Sequence, residues 1–404
     1  MELQSLAEFA VAAADPESAT RQAVEELAIE GPVAVLAVGK AAGVMAAGAH
    51  AELDSVTEGL VVTAYDDVAA PPGWSRLVAS HPMPSDKSEA AGRAALDLVE
   101  RATGTLVVLL SGGASALMEV PPAGLSTDDL AKMTSVLLAS AMEIDDINVI
   151  RKHVSAVKGG RLAAASRAST IRTLAVSDVV GDDLSAIGSG PTVGDPSTFL
   201  EALTLAAPLR DRLPPAVYAH LEKGARGVIP ETPVSFHADV TARVILSGRT
   251  VAKAVEVEAQ RRGWMTAVHE PPLSGEAVNA VERVLAEAQP GLSVFHGETT
   301  LEVSGGGRGG RNQHGALAGA LRLRGDERRT LMTLATDGVD GPTDAAGAIV
   351  DGGTVGRGSA AGLDAVEHLT NCNSGPYLEA AGDLLVTGAT GTNVADLWML
   401  FTVD

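Results

Sequence analysis

The sequence predicts a two-domain α/β protein, with a mostly parallel sheet in the first domain and a smaller mixed α/β second domain. Three observations predict it. Short apolar runs of strand length alternate with helical patterns, and glycines stand at the junctions. Hydrophobic residues make up 46% of the chain and aromatics only 3%, so the core must be built from Ala, Val, Leu and Ile, a composition that suits parallel sheets buried under helices. The length, 404 residues, is enough for two cores.

The elements follow in order. The start, "MELQSLAEFAVAAADPESATRQAVEEL", carries an acid at Glu2 and no basic residues before an apolar run, so it reads as an amphipathic helix and not as a signal peptide. "VAVLAV" at Val33–Val38 is a buried strand that runs into Gly39, Lys40 and an Ala-rich helix. "GLVVTA" at Gly59–Ala64 is the next strand, and "TLVVLL" at Thr105–Leu110 leads into "SGGASAL" and a helix over about Ser126–Glu143. Ile171–Val176 is a further strand, ending in the acids of "SDVVGDD". Around Gly227–Thr241 helical periodicity is lost and two prolines appear, which places a domain boundary there, giving domains 1–235 and 236–404. The second domain reads as strand "ARVILS", helix "TVAKAVEVEAQRRG" and strand "WMTAVH". "SVFHGETTLEV" then alternates like two strands around a turn, before a glycine-rich stretch and the helix "NQHGALAGALRL". "TLMTLATDG" and "GDLLVTGATGTN" each end a strand in a polar turn.

The formal net charge of −21 repels phosphate backbones and anionic bilayers, so nucleic acid and membrane partners are not expected. No apolar run approaches the length of a membrane span. The single cysteine, Cys372, permits neither an internal disulfide nor a cysteine metal cluster, in keeping with a cytoplasmic setting. The histidines show no metal-ligand spacing, which argues against zinc.

In open α/β sheets ligands bind beyond the carboxyl ends of strands, and the loops there are unusual in content. The stretch "SGGGRGGRNQHG" at Ser304–Gly315 precedes a helix and carries Arg308 and Arg311. Its glycines permit close backbone approach, and a guanidinium fork binds phosphate or carboxylate bidentately. Gly305, Gly307 and Gly310 also satisfy G-x-G-x-x-G, a weak dinucleotide signal without a surrounding βαβ unit. "SGGASAL" supplies Ser111, Gly112, Gly113 and Ser115 at a helix start, the make-up of an anion nest. Lys40 follows the first strand, and only seven lysines exist in the chain; Lys152 and Lys158 also lie beside glycine turns or helix ends. Acidic turns offer Asp178, Asp182 and Asp183, and then Asp337, Asp340 and Asp344, oxygen donors suited to Mg²⁺ but equally common in turns. His81 and His153 are weaker acid–base candidates. Taken together, a lysine, arginines, glycine nests and carboxylates at several strand ends describe phosphoryl transfer.

The motifs "INVIRKHVSAVKGGRLA", "SDVVGDD…SGPTVGDPST", "GETTLEVSGGGRGGRNQ", "ATDGVDGPTDAAGAIVDG" and "GDLLVTGATGTN" resemble the D-glycerate 2-kinase family, whose C-terminal part is the MOFRL domain. The resemblance covers nearly the whole chain. It implies a Rossmann-like α/β domain followed by a MOFRL-type domain, an active site in the interdomain cleft, and Mg²⁺-dependent transfer from ATP to the 2-hydroxyl of D-glycerate. Carried over motif by motif, it implies catalytic roles for Lys40, Arg311, Asp178 and Asp337. It further implies phosphate or substrate contacts from Ser111, Gly112, Gly113, Ser115, Arg151, Lys158, Glu298, Arg308 and Asn312, and metal binding by Asp178, Asp183 and Asp337. ATP and a small sugar acid are the expected partners, and a homodimer is an assembly this reading leaves open. His296, His314 and Val180 depart from the family pattern, which leaves a different small 2-hydroxy acid as an alternative acceptor. An NAD(P)H-dependent hydroxypyruvate reductase and a non-catalytic sensor on the same fold are the competing classes.

Overall fold

In the computed structural model, residues 2–140 and 142–403 are described. Among them the chain forms two six-stranded sheets, ordered β3-β2-β1-β4-β5-β6 and β11-β10-β9-β12-β8-β7. It divides into two compact units. One comprises Pro16–Ser177 and Asp182–Ile245; the other comprises the chain up to Asp15, Asp178–Gly181 and everything from Leu246 onward.

The first sheet is built from β1 (Val33–Val38), β2 (Val56–Thr63), β3 (Ser75–Val78), β4 (Thr105–Leu110), β5 (Thr170–Val176) and β6 (Asp239–Leu246). β1 runs parallel to both neighbours, with Leu36 opposite Leu60 of β2 and Val108 of β4. Every residue of β1 is buried, which explains why the sequence shows a continuous apolar run and no alternation. From β1 the chain builds outward to β2 and β3 on one side, and β4 starts the other side. The junction of β1 and β4 is therefore the topological switch point, where strand order reverses and a crevice opens beyond the carboxyl ends. A second core in this unit lies among helices, with Phe199, Leu137, Ile150, Val217 and Leu221 packed together. The single helix expected over about Ser126–Glu143 is shorter, Thr127–Leu138, and is followed by the helix Ile144–His153.

β6 corrects the strand assignment. The sequence reading gave "ARVILS" to the second domain, but this strand forms the edge of the first sheet beside β5. Its burial alternates and is mostly partial, so it carries no apolar run to tie it to either sheet.

The second sheet comprises β7 (Thr266–Leu273), β8 (Gly291–Gly297), β9 (Arg329–Ala335), β10 (Gly347–Asp351), β11 (Leu384–Leu385) and β12 (Asp396–Thr402). β7 and β8 are parallel, whereas β12 is antiparallel to both β8 and β9, and β10 is antiparallel to β9. The helix Arg311–Leu323 lies over this sheet and shares a core with Trp398, Phe295, Leu331 and Tyr377. The second strand expected in "SVFHGETTLEV" does not form. Beyond Gly297, among the described residues, this segment makes an isolated bridge, Thr300 with Glu276, and no ladder, and Glu302 and Val303 face solvent.

Candidate active site

At the switch point the loops after β1 and β4 are joined by hydrogen bonds. The Lys40 N–H donates to the Gly112 carbonyl at 2.9 Å, and the Ser111 N–H donates to the Val38 carbonyl at 3.0 Å. Ser111 is buried, and its Oγ accepts the Ala41 N–H at 3.0 Å, which ties the residue at the head of the helix Ala42–Glu52 to the loop after β4. Gly113 has φ +86°, and a Cβ there would meet the His81 ring at 3.0 Å and the Lys40 stem at 3.5 Å. The left-handed turn thus sits between an imidazole and an exposed lysine. The N–H groups of Gly112 and Gly113 stand outside the loop's backbone hydrogen bonds among the described residues, as expected of an anion nest. Ser115 is tied down, its Oγ 2.9 Å from that of Ser189, which donates to Asn148 Oδ1 at 3.1 Å.

Deeper in this unit Lys158 is sequestered. Only 1% exposed, it pairs with Glu119, whose other oxygen accepts from Ser155 Oγ at 2.5 Å. Burial pulls the Lys158 pKa down and Glu119 works against that pull. The ammonium, expected at a substrate or phosphate, is thus paired inside the protein. Arg151 differs. It is half-buried on the helix Ile144–His153 and forms no ion pair among the described residues, and desolvation outweighs the charge of Glu119 in lowering its pKa. Asp183, expected at a metal, accepts the Ser185 N–H at 2.8 Å and its hydroxyl at 2.9 Å in a tight turn.

The second unit assembles its charged groups around Arg311, the first residue of the helix Arg311–Leu323. The guanidinium grips Asp396 bidentately, Nε to Oδ2 at 2.6 Å and Nη2 to Oδ1 at 3.1 Å, and its Nη1 lies 2.9 Å from Glu298 Oε1. Burial would lower the pKa of Arg311, but its bonds to Asp396 and the charges of Asp396 and Glu298 raise it, so it remains a cation. Burial raises the pKa of Glu298, opposed by Arg311 and reinforced by Asp396, Asp178 and Asp337. Those four carboxylates and one arginine form an electrostatically coupled set. Asp337, just beyond β9, accepts the Val339 N–H at 3.0 Å.

Asp396, which the sequence reading did not place in the site, holds Arg311, and Asp340, which it offered as an acidic-turn oxygen donor, holds the helix behind it. Asp396 opens β12 and is 3% exposed; a carboxylate at the head of the apolar run "DLWMLF" was the signal. Asp340 accepts the N–H groups of Asn312 at 3.0 Å and Gln313 at 2.7 Å. It caps from outside a helix whose own N-cap, Gly310, has no side chain. A Cβ at Gly310 would overlap Asp340 itself, so the glycine is what lets the cap approach. Burial, opposed by those two amides and reinforced by Asp396, raises the Asp340 pKa to about 6.

Asn312, expected to touch a ligand, is fully buried; its Oδ1 accepts the Trp398 indole N–H at 2.7 Å and its amide faces Asp340. Its side chain anchors the helix through these internal partners. Arg308 is exposed, with no ion pair among the described residues. His296 lies on the other face of the sheet from Arg311: it stands opposite Leu397, while Asp396, one residue away, stands opposite Gly297. There it pairs with Glu270, 3.2 Å away. His314 is buried with Nδ1 unbonded, and burial lowers its pKa.

The comparisons agree with this architecture. Residues 2–222 match the family described as a domain of unknown function, DUF4147, and residues 292–396 match the MOFRL family. A glycerate 2-kinase of Pyrococcus horikoshii is 40% identical over 95% of this chain and 93% of its own. The chain belongs to the D-glycerate 2-kinase family. A family relative named a putative hydroxypyruvate reductase, from Agrobacterium vitis, is 35% identical over 98% of this chain and 92% of its own. The crystal structure of the Thermotoga maritima glycerate kinase superposes with a TM-score of 0.90 at 35% identity, covering 99% of this chain and 98% of that one. The two-domain α/β fold is thus the family's fold.

Proposed function

We propose that the protein transfers the γ-phosphoryl group of ATP to the 2-hydroxyl of D-glycerate, giving 2-phosphoglycerate and ADP. The observation that carries this reading is its 40% identity, over nearly the full length, to a protein named glycerate 2-kinase. The geometry supports it. Beyond the carboxyl ends of β1 and β4, Lys40 and the Ser111–Gly113 turn supply a cation and unpaired amides, the groups that cradle phosphate and neutralise charge developing on a transferring phosphoryl group. Arg151 adds a guanidinium without an ion pair on the same unit.

In the Arg311 set, Nε and Nη2 are docked on Asp396 and Nη1 faces Glu298, so one N–H on each outer nitrogen is what remains for a substrate carboxylate or phosphate. The set holds more carboxylates than cations, and the charges of Asp396, Asp178 and Asp337 add to burial in raising the Glu298 pKa. An anionic substrate docks beside such a set only with a cation, and oxygen donors suit Mg²⁺. Asp178 and Asp337 are the residues we assign to it. Among the described residues no three acidic, histidine or cysteine side chains form a ready cage, in keeping with an ion held by one or two carboxylates plus phosphate oxygens. When bound, Mg²⁺ neutralises phosphate charge. The 2-hydroxyl oxygen attacks phosphorus, the bond to the ADP oxygen breaks, and one of these two carboxylates takes the hydroxyl proton.

The reductase alternative needs a dinucleotide on the 305–310 turn. There, side chains built at Gly307, Gly309 and Gly310 would overlap Asn371, Ser374 and Asp340, so these glycines admit the protein's own backbone and leave the pyrophosphate motif without its physical basis.

Steady-state rates with D-glycerate and Mg²⁺-ATP test the assignment. Lys40→Ala and Arg311→Ala should each lose about 2.7–4 kcal/mol of transition-state stabilisation, a fall of roughly 10²–10³ in kcat. Near wild-type turnover in Lys40→Ala would remove Lys40 from the catalytic set.

A further inference from the structure

The first unit also contains a cavity of about 410 Å³ whose wall includes Arg161, His153, His220, Ala165, Ile229 and Pro233. None of these residues belongs to the Lys40 nest, and the volume falls within the usual span of small-molecule sites, about 300–1,000 Å³. Arg161 opens the short helix Arg161–Ala165 and is half-buried. Its Nε is sequestered without a hydrogen-bond partner, and the side chain makes no ion pair among the described residues. Burial lowers its pKa in spite of Asp195 and Glu231. His153 is also incompletely satisfied: Nδ1 is bonded to the Val149 carbonyl at 2.8 Å, while Nε2 has no hydrogen bond, the Glu231 carboxylate standing 3.4 Å away. His220 is held against the His153 carbonyl at 3.2 Å.

A buried guanidinium N–H without an acceptor is costly, so the Nε of Arg161 is satisfied only when an acceptor enters from the cavity. A single fork matches one carboxylate bidentately, whereas a phosphate dianion calls for more cations than this wall offers. The remaining wall, Ala165, Ile229 and Pro233 among it, is apolar apart from Ser155.

We propose that this cavity is a second ligand site, for a small organic carboxylate with an apolar body. The carboxylate sits on Arg161 and the hydrocarbon part lies against Ala165, Ile229 and Pro233, beside the rings of His153 and His220. The proposal does not rest on the kinase reading and survives its failure.

The test is a titration of the full-length, ¹⁵N-histidine-labelled protein with 4-methylpentanoate, following the imidazole signals of His153 and His220 by NMR, with inorganic phosphate in parallel. Saturable shifts with 4-methylpentanoate are expected, weakened at least about tenfold in Arg161→Gln. Ala165→Phe, which fills the cavity and keeps the arginine, should weaken them similarly and guards against misfolding of the first variant. The proposal is overturned if 4-methylpentanoate gives no saturable shift in the wild type, or if both variants bind it as the wild type does. It is also overturned if phosphate binds as tightly and with the same dependence on Arg161.

Discussion

Arg311 offers five N–H groups, and the protein itself takes three of them through Asp396 and Glu298. The bidentate edge on Asp396 fixes the plane of the guanidinium, so Asp396 is a positioning residue. Asp396→Asn keeps the shape but loses the charge and one acceptor. On the order of a 100-fold loss in kcat is expected, because small displacements of a catalytic group are that expensive, with a smaller change in KM for ATP; equal changes in the two parameters would point to a binding role instead. Asp340 allows a prediction in pH. Its pKa is raised from the ordinary 3.8 to about 6, so the folded protein holds this proton more tightly than the unfolded chain does. The corresponding stability, about 3 kcal/mol, is present below about pH 4 and lost as pH rises through about 6. Asp340→Asn lacks the titration. The melting temperature of the wild type should therefore fall relative to the variant from about pH 4.5 to about pH 7, and a constant gap across that range would contradict the assignment.

The helix Arg311–Leu323 shows how an element carries the site. Its N-terminus is capped from outside by Asp340, and its buried Asn312 is clamped between that carboxylate and Trp398 of β12. Gly310→Ala would drive a methyl group into Asp340, so we expect about 1–3 kcal/mol of destabilisation together with a loss of activity. Gly306→Ala is the control: nothing lies within 4 Å of its Cβ position, and thermal melting and rate should match the wild type. Gly306 and Gly310 look alike in the sequence. Only the approach of Asp340, brought from a turn nearly thirty positions away, separates them, and for the same reason Asn312 read as a ligand contact when its partners are both internal.

At the scale of the whole molecule, the buried strands were legible because β1 is apolar throughout, β4 is so after Thr105, and both run into glycine turns. That placed Lys40 and Ser111–Gly113 at strand ends, but not at the reversal of strand order, which depends on pairings no local pattern reveals. β6 was misassigned because an edge strand with alternating, partial burial carries no mark of its sheet. The partner of Lys158, Glu119, lies 39 positions away and no local pattern shows it, whereas Asp183 bonds Ser185 two residues on, a turn contact that its position allowed. Asp396 went unread because its partner Arg311 lies 85 positions away. Phosphoryl transfer to a secondary hydroxyl is tested most directly by the identity of the product. Incubation with ATP, Mg²⁺ and D-glycerate, followed by phosphorus NMR, should show 2-phosphoglycerate appearing with ADP. No phosphorylated product, together with NAD(P)H oxidation on hydroxypyruvate, would contradict it; 3-phosphoglycerate would keep the kinase and overturn the choice of hydroxyl.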